Sequence, residues 1–321
     1  MEELFRFGII GAAGIADKFC DAVKEMEGVT VQAVASRTPG KADVFAQRNG
    51  IPFAYDDYEA MLERPDIDAV YIATTHNFHK ENMLLAIEHG KHILCEKAFT
   101  LTRADAEEVF AKAKEKGLFC MEATWSLFNP VLRQAREWLS SGEIGRIDVG
   151  HYMMGFNAGD NEEGRMLNPR LAGGAMFDIG IYVVEIMTYL IPQKLVDVQS
   201  HIIRGKTGVD TVDCIRLIFD NAVADLECLI TCDIEDHLDI YGTRGHLHID
   251  TPHGCECTRL YHGSSLADER FHRLENGFEY EIQEVVDCVR AGKLESDILP
   301  HAHTLQCAEV FDRCFAQNPK A

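Results

Sequence analysis

The stretch His92–Lys97 is where this sequence first suggests chemistry. An apolar run, Ile93-Leu94-Cys95, ends abruptly in the charged pair Glu96-Lys97. In an open parallel sheet, ligands bind outside the carboxyl ends of the strands, so Lys97 would be presented to a bound ligand. An amine in such a place can transfer a proton if burial lowers its pKa. The same residues could instead form an ordinary salt bridge at the end of a strand.

A carboxylate and a phenol at helical spacing form a second candidate group. Asp178 and Tyr182 are four residues apart in a predicted helix over 175–190, so they share one face and lie close together. They could form a hydrogen bond on the helix surface without a catalytic role, or they could act on a bound molecule. The polar, irregular stretch 157–171, which contains Arg165, precedes this helix and is predicted to lie over the ligand.

A glycine-rich turn near the N-terminus has the form expected for dinucleotide binding. The short apolar strand predicted over 5–10 enters the run Gly11-Ala12-Ala13-Gly14-Ile15-Ala16, and a helical pattern follows. Gly11 supplies the tight turn, and Ala16 takes the third position of the motif, where a small residue allows close packing. Ala13 stands where a second glycine would let the backbone approach the pyrophosphate. An ordinary strand–turn–helix with small residues is the alternative.

The end of the next predicted strand, 29–35, indicates which dinucleotide is bound. Ser36-Arg37-Thr38 follow it, where an NAD protein has an acid for the ribose hydroxyls. No Asp or Glu stands there, and a carboxylate would repel the 2′-phosphate of NADP. The planar, permanently charged fork of Arg37 can bind that phosphate, and Lys41 is close enough to assist. The sequence therefore predicts NADP(H) in preference to NAD(H).

A third strand end adds polar residues to the same side of the predicted sheet. The apolar run 69–73 ends in Thr74-Thr75-His76-Asn77-Phe78-His79. Strand ends in this fold deliver side chains to the cofactor face, so His76 and His79 are candidates for contacts with nicotinamide or substrate. A simple loop role is the alternative for both histidines. The other residues assigned to the cofactor side are Thr74, Thr75, Asn77, Glu96 and Lys97.

These candidates can act together only in a particular framework. Strand and helix patterns alternate regularly from residue 5 to 123, which predicts a doubly wound parallel (Rossmann) sheet. From residue 195 the chain is mostly β, with a hairpin signal at Asp220-Asn221. We therefore expect an α/β protein with a dinucleotide-binding domain over 1–122. An α+β domain over 123–321, with an open, mainly antiparallel sheet, would bind substrate and form a homodimer.

Composition argues against several other classes of protein. The net charge of −21 disfavours nucleic acid or an anionic membrane as main partner. No apolar run reaches the roughly 18 residues of a membrane helix, and the N-terminus lacks the basic region of a secretory signal. The eleven cysteines have no framework spacing, which favours reduced thiols in the cytoplasm. Cys255 and Cys257 lack the second, separated ligand pair of a zinc site, so no metal is expected.

With these residues established, the chain resembles the Gfo/Idh/MocA family of NAD(P)-dependent oxidoreductases from end to end. The stretches that carry the resemblance are Gly11–Ala16, Cys95-Glu96-Lys97 and the run from Gly173 to Tyr182. The last of these, with Met121–Trp125, is similar to the branch that contains dimeric dihydrodiol dehydrogenase and NADP-dependent D-xylose dehydrogenase. Three positions depart from the family pattern. Ala98 replaces the usual Pro, Tyr182 replaces a His that many members carry, and Leu127 replaces an Arg that is frequent in that branch.

The resemblance implies hydride transfer between nicotinamide and a secondary or anomeric hydroxyl or carbonyl of a sugar, polyol or cyclic trans-diol. It implies that Tyr182 takes the hydroxyl proton while an ammonium such as Lys97 favours its phenolate; Lys97 could instead transfer the proton itself. Asp178 would hold a substrate hydroxyl or orient Tyr182. The further substrate-binding positions are Trp125, Phe128 and Arg165. The departure at Leu127 leaves the identity of the substrate open.

A function of another class is also compatible with the fold. A sensor or regulator could bind NADP(H) without turnover, but it would need only the cofactor-binding groups. Lys97 together with Asp178 and Tyr182 favours the enzyme. An oxidoreductase that oxidises and re-reduces a retained cofactor within one cycle is a third alternative.

Overall fold

The computed structural model of the protein describes residues 4–319, which form two compact units. The first unit takes the chain up to Trp125 together with Asn276–Thr304, and the second takes Ser126–Glu275 together with the chain from Leu305 onward. The first boundary lies close to the one predicted at residue 122. Residues 276–304, which the sequence analysis assigned to the second domain, belong instead to the first unit. The sequence of residues 276–304 does not show that they belong to the first unit, because this depends on which distant apolar surface they cover.

The first unit is built on six parallel strands. Its elements up to Ala123 are β1 (Phe5–Ile10), α1 (Gly14–Lys24), β2 (Val29–Ala35), α2 (Lys41–Asn49), β3 (Phe53–Tyr55), α3 (Tyr58–Leu62), β4 (Ala69–Ile72), α4 (His79–Glu88), β5 (His92–Glu96), α5 (Arg103–Lys116) and β6 (Cys120–Ala123). The strand order is β3-β2-β1-β4-β5-β6. This is the order of a doubly wound dinucleotide-binding sheet, so that prediction is confirmed.

Local sequence explains how these elements begin and pack. Thr102 caps α5 by accepting the N–H of Asp105 at 3.2 Å, and Gly117 ends the helix in a left-handed conformation. All residues of β4 are buried, as expected for a central parallel strand covered on both faces. The ring of Tyr71 in β4 stacks on Phe19 of α1 with centroids 4.0 Å apart. This contact fixes α1, the helix that follows the glycine turn, against the middle of the sheet.

The second unit contains a larger mixed sheet and two long helices. Its elements up to Phe271 are α6 (Pro130–Ser140), β7 (Ile147–Gly155), a π-helical turn (Met176–Gly180), α7 (Ile181–Leu190), β8 (Leu195–Arg204), β9 (Asp210–Phe219), β10 (Val223–Leu229), β11 (His237–Gly242), β12 (Gly245–Asp250), β13 (Cys257–His262) and β14 (Ser265–Phe271). The strand order is β14-β13-β12-β11-β7-β10-β9-β8, antiparallel throughout except for the pair β7–β10. The prediction of a mainly antiparallel sheet is confirmed.

One face of the mixed sheet is buried and the other carries polar and exposed residues. Along β9 the inward side chains of Ile215 and Leu217 are buried, whereas Cys214 and Arg216, which alternate with them, are exposed. This alternation is what a strand with a single covered face requires. The predicted hairpin at Asp220-Asn221 is present, because the N–H of Phe219 donates to the carbonyl of Ala222 at 2.8 Å.

The predicted helix over 175–190 differs from expectation in its first turn. Met176–Gly180 is π-helical, and the regular α-helix begins only at Ile181. All ten residues of α7 are buried, so it is a core helix. By length and mean hydropathy alone the segment Pro169–Leu190 would qualify as a membrane span, but 72% of its most apolar window is buried inside the protein.

Two helices complete the described chain. α8 (Glu279–Arg290) belongs to the first unit, and α9 (His301–Gln317) ends in the second. The buried side of α8 includes Ile282, Val285 and Val286, but also the acid Glu281. An acid on the apolar side of a helix is unusual, and its surroundings are described below.

Candidate active site

The glycine turn in the first unit leaves an open helix N-terminus. Gly11 has φ +101°, and a Cβ there would lie 2.8 Å from the carbonyl oxygen of Ala73, so only glycine fits. Ala13 precedes α1 with an extended backbone and gives no side-chain cap. A Cβ at Gly14 would have no other atom within 4 Å, whereas Ala16 is fully buried. The first turn of α1 therefore offers N–H groups to an anion such as a pyrophosphate. Ile15 is partly exposed beside it.

The end of β2 presents a guanidinium. Arg37 is exposed, and its Nη2 lies 3.1 Å from Glu81 Oε1, an ion pair that is also exposed and therefore weak. The rings of Tyr58 and Phe78 lie 5.1 and 4.9 Å from the guanidinium carbon. These contacts leave Arg37 able to exchange Glu81 for a phosphate. Its neighbours are Ser36, which is buried, and Thr38 and Lys41, which are exposed.

The end of β4 supplies small polar groups and two buried histidines. Thr75 Oγ1 donates to Asn77 Oδ1 at 2.8 Å, and the Nδ2 of Asn82 donates to Thr74 Oγ1 at 3.1 Å. Thr74, Thr75 and Asn77 are half-buried, so they can contact a bound molecule. His76 is almost completely buried, with Nε2 3.1 Å from the carbonyl oxygen of Lys97.

The expected cofactor contact of His79 is wrong. Its ring is fully buried, with Nδ1 2.9 Å from the carbonyl oxygen of Ala98 and Nε2 3.0 Å from that of Thr74. Burial lowers the pKa of His79, whereas its contacts with the two carbonyl oxygens act in the opposite direction. His79 therefore joins the two strand-end loops to each other and has no atom available for a ligand. Of the two roles that the sequence left open, the loop role applies.

Lys97 follows β5 directly and is half-buried, and the peptide bond between Lys97 and Ala98 is cis. Glu96, expected on the cofactor side, is buried and accepts a hydrogen bond from the hydroxyl of Tyr71, so its side chain belongs to the core beneath Lys97. Burial raises the pKa of Glu96, and the adjacent ammonium of Lys97 acts in the opposite direction. The N–H of Phe99 donates to Glu122 at 2.7 Å, which fixes the loop after Lys97.

A second acid lies near Glu96. Glu281 of α8 is fully buried, and neither carboxyl oxygen has a hydrogen-bond partner within residues 4–319. Burial and the charge of Glu96 raise the pKa of Glu281, whereas Lys18 of α1 lowers it. Glu281 was not among the predicted site residues, although an acid on the apolar side of a helix is visible in the sequence.

Trp125, a predicted substrate contact, is packed within the first unit. Its ring lies 4.0 Å from Lys18 Nζ and its centroid 5.7 Å from that of Phe278. Gly277 has φ +95°, and a Cβ there would lie 2.7 Å from the indole. Trp125 is 9% exposed, so only an edge of the ring is available to a ligand.

In the second unit, Asp178 and Tyr182 lie in successive helical turns as predicted. Arg165 of the preceding polar segment donates from Nη2 to Asp178 Oδ1 at 2.5 Å. Arg165 is about half exposed, while Asp178 and Tyr182 are largely enclosed. The structure thus brings Arg165 and Asp178 together. Phe128, the remaining predicted substrate contact, is 2% exposed.

A histidine that was not among the predicted site residues lies beside Tyr182. The ring of His253 lies 5.6 Å from that of Tyr182, and Nδ1 of His253 is 2.7 Å from Asp236 Oδ2. A carboxylate at Nδ1 orients the ring and leaves Nε2 for other contacts. The loop is anchored because Ser126 Oγ donates to the carbonyl of His253 at 2.5 Å. No local sequence pattern predicts this cluster, because its members come from separate parts of the chain: Tyr182, Asp236 and His253.

Comparison with known proteins assigns both parts of the chain. Residues 5–124 match a family model described as an oxidoreductase family with an NAD-binding Rossmann fold, and residues 132–248 match the GFO/IDH/MocA C-terminal domain. A trans-1,2-dihydrobenzene-1,2-diol dehydrogenase from Mus musculus is 31% identical over 96% of this chain and 95% of its own length.

Solved structures show the same fold. An aldose-aldose oxidoreductase from Caulobacter crescentus, complexed with glycerol, has a TM-score of 0.89 at 24% identity and covers 98% of this chain and 97% of its own. A 3-ketoreductase from Actinomadura kijaniata with NADP has a TM-score of 0.83 at 25% identity, with coverages of 97% and 96%. A levoglucosan dehydrogenase with NADH and levoglucosan has a TM-score of 0.88 at 20% identity, with coverages of 98% and 96%.

The family matches and the full-length relative agree with the strand order of the first unit. The chain is an NAD(P)-dependent oxidoreductase that belongs to the Gfo/Idh/MocA family.

Proposed function

We propose that this protein is an NADP(H)-dependent oxidoreductase that transfers a hydride between nicotinamide and a secondary or anomeric hydroxyl or carbonyl of a sugar, polyol or cyclic trans-diol. The observation that carries the proposal is the combination, in one member of this family, of Lys97 at the carboxyl end of β5 with Asp178 and Tyr182 in successive helical turns. A sensor that only binds the cofactor would need Lys97 at most, and it would not need Asp178 and Tyr182.

The preference for NADP(H) rests on Arg37. The open first turn of α1 fits a pyrophosphate, and Arg37 with Lys41 fits a 2′-phosphate that no carboxylate at 36–38 opposes. When bound, the nicotinamide supplies or accepts the hydride. Titration of NADPH and NADH, followed by their fluorescence, should give tighter binding of NADPH. Tighter binding of NADH would refute the preference.

Oxidation of the substrate requires removal of the hydroxyl proton as the hydride leaves the carbon. In this proposal the phenolate oxygen of Tyr182 takes that proton, and the ammonium of Lys97 stabilises the phenolate beforehand. In the reverse direction Tyr182 returns the proton to the substrate oxygen. Asp178, held by Arg165, accepts a hydrogen bond from a further hydroxyl and so orients the substrate. Proton transfer by Lys97 itself is the alternative.

A substrate screen tests the reaction. Pyranoses, polyols and cyclic trans-diols are supplied with NADP⁺ while the absorbance of the reduced nicotinamide is followed. The dihydrodiol and aldose substrates in the names of the relatives support this choice of compounds. We expect turnover of at least one class. Tight binding of NADP(H) without any turnover would favour the sensor.

We also propose a cytoplasmic homodimer, with the uncovered face of the mixed sheet as the interface. All eleven cysteines are free thiols, which suits a reducing compartment. The uncovered face presents Val149, Ile203 and Tyr241, each at least 41% exposed, among charged residues. Burying such a face against a second copy would remove apolar surface from water.

A further inference from the structure

The ion pair between Arg37 and Glu81 brings an acid to the guanidinium that is proposed to bind the 2′-phosphate of NADP(H). Arg37 follows β2, and its Nη2 lies 3.1 Å from Oε1 of Glu81 in the first turn of α4. Residues 36–38 contain no acid, so the sequence at the end of β2 does not show this carboxylate. An acid that can oppose a phosphate is thus supplied by α4 and not by the loop after β2.

Two aromatic rings hold Arg37 independently of Glu81. The guanidinium carbon lies 5.1 Å from the ring centre of Tyr58, which is buried, and 4.9 Å from that of Phe78, which is half-buried. A ring face attracts the guanidinium but has no acceptor oxygen, so these contacts leave its N–H groups available to an anion. Arg37 can therefore change its partner from Glu81 to a phosphate and remain in place.

Glu81 depends on Arg37 for a counter-charge. Its neighbour Lys80 is engaged elsewhere, because Nζ lies 2.5 Å from Asp105 and 2.9 Å from Glu108, both on α5. Within residues 4–319, Arg37 is the one cation that forms an ion pair with Glu81. Both side chains of this pair are about half exposed, so the pair itself stabilises the protein little. Its exchange for a phosphate is therefore not opposed by a large loss of stability.

The loop that follows β2 is fixed by contacts that do not involve Glu81. The N–H of Ser36 donates to the carbonyl of Tyr55 at 3.0 Å, and the N–H of Gly40 donates to Asp56 Oδ1 at 3.2 Å. Asp56 is a second acid beside this loop, but its carboxylate is bound to the backbone. Removing the charge of Glu81 should therefore leave the loop unchanged.

The two cofactors make different demands on the ion pair. A phosphate monoester carries about −1.5 to −2 charges at neutral pH. NADP(H) must either displace Glu81 from Arg37 or place its 2′-phosphate beside the carboxylate, and both reduce the affinity. NAD(H) has a hydroxyl at this position and leaves the pair intact. Glu81 should therefore weaken the binding of NADP(H) without weakening that of NAD(H).

We propose that Glu81 is a specificity-determining residue that lowers the preference for NADP(H) and so admits NAD(H) as a second cofactor. The inference rests on the proposed function, because it takes Arg37 as the group that binds the 2′-phosphate. It adds a competitor for that group from another element. Because the competitor is an exposed side chain, it limits the preference for NADP(H) without excluding that cofactor.

The variant E81Q tests the proposal, with E88Q as a matched control. Glutamine has the shape of glutamate without its charge, and Glu88 is an exposed acid of the same helix two turns further on. Fluorescence titration at pH 7 gives the Kd of NADPH and of NADH for each protein. E81Q should bind NADPH about fivefold more tightly than wild type, which corresponds to about 1 kcal/mol. The Kd of NADH should change by less than about twofold. E88Q should match wild type for both cofactors.

The dependence on salt is a second measurement on the same proteins. Because the competition is electrostatic and takes place at the surface, the advantage of E81Q for NADPH should fall from about fivefold near 0.1 M salt to within about twofold near 1 M. If Glu81 only supported the local fold, its replacement would change the affinity for both cofactors alike and would do so at either salt concentration.

Two results would overturn the proposal. One is an E81Q variant whose ratio of Kd values for NADH and NADPH equals that of wild type. The other is weaker binding of NADPH by E81Q, which would show that Glu81 positions Arg37 for the phosphate instead of competing with it. Failure of the proposed cofactor preference is a different result, namely a wild-type protein that binds NADH more tightly than NADPH. Even then, the change in the ratio between wild type and E81Q decides whether Glu81 opposes the phosphate.

Discussion

Lys97 shows how a charged side chain is held at the end of a strand. Beneath it Glu96 is buried and hydrogen-bonded to Tyr71, and Glu281 lies close enough for the two acids to influence each other. Two ionised carboxylates in such surroundings would repel each other strongly, so Glu281 retains its proton in the folded protein. Glu96 is then the acid that faces the ammonium.

The variant E281Q tests this distribution of charge. Because the pKa of Glu281 is raised in the folded state, wild-type stability declines as the pH rises above the ordinary range of a glutamic acid. A glutamine does not titrate, so the stability of E281Q relative to wild type should improve by up to about 1.4 kcal/mol per pH unit between pH 5 and 8. Urea unfolding at several pH values measures it. Parallel profiles for the two proteins would show that Glu281 ionises normally.

Single residues were predictable where strand ends display them. Lys97 and Arg37 could be assigned because a charge that follows an apolar strand is visible in the sequence. His79 was misassigned because the same position also suits a buried link between loops. His253 and Asp236 were missed as neighbours of Tyr182, since their proximity arises from long-range packing alone.

At the scale of elements, the turn from Gly174 to Met176 connects the sheet to the helical segment that carries Asp178 and Tyr182. Asp210 of β9 reaches the N–H of Met176 only because residue 174 lacks a side chain. The position of Asp178 and Tyr182 therefore depends on β9, a strand that holds none of the proposed catalytic residues. The π-helical turn that follows continues directly into α7.

G174A should be more harmful than G208A, a matched substitution in the same unit. Both glycines have positive φ, but a Cβ at Gly208 meets nothing within 4 Å. The free energy of unfolding of G208A should fall by only about 1–2 kcal/mol, which is the cost of a left-handed backbone at a residue with a Cβ. The free energy of unfolding of G174A should fall by about 1–3 kcal/mol more than that, because the added Cβ clashes with Asp210. G174A should also lose most of its turnover. Urea unfolding and turnover with NADP⁺ check this, and equal losses in the two variants would show that the contact is unimportant.

The sequence predicted most elements because their signals are local. The parallel series and the hairpin at Asp220-Asn221 follow from periodicity and turn chemistry. The parallel pairing of β7 with β10 and the π-helical turn could not be read in this way. The pairing of β7 with β10 depends on the register between distant segments.

At the scale of the whole molecule, each compact unit is made of two separate stretches of the chain. The first unit is completed by residues 276–304, which return after the mixed sheet. Truncation at the end of the predicted first domain would therefore remove α8 and expose the side of the unit that it covers. The mixed sheet leaves one face uncovered, which is the basis for the proposed homodimer.

A charge in the middle of that face should disrupt the dimer. Val149 lies on the uncovered face of β7 and is 41% exposed. V149K should convert the dimer to a monomer in light scattering, because a buried, unpaired ammonium is costly. V44K, at a more exposed valine of α2 in the first unit, is the control and should leave the dimer intact. A monomeric wild-type protein, or a dimer that tolerates V149K, would contradict the proposed interface.

The most direct test of the central claim is the turnover of K97M measured beside wild type with NADP⁺ and a substrate found in the screen. The account predicts that kcat falls by about 10²- to 10⁴-fold, the usual range for loss of a group that assists proton transfer. The affinity for NADPH should change little, since the first turn of α1 and Arg37 are intact. A K97M variant that turns over as fast as wild type would contradict the account.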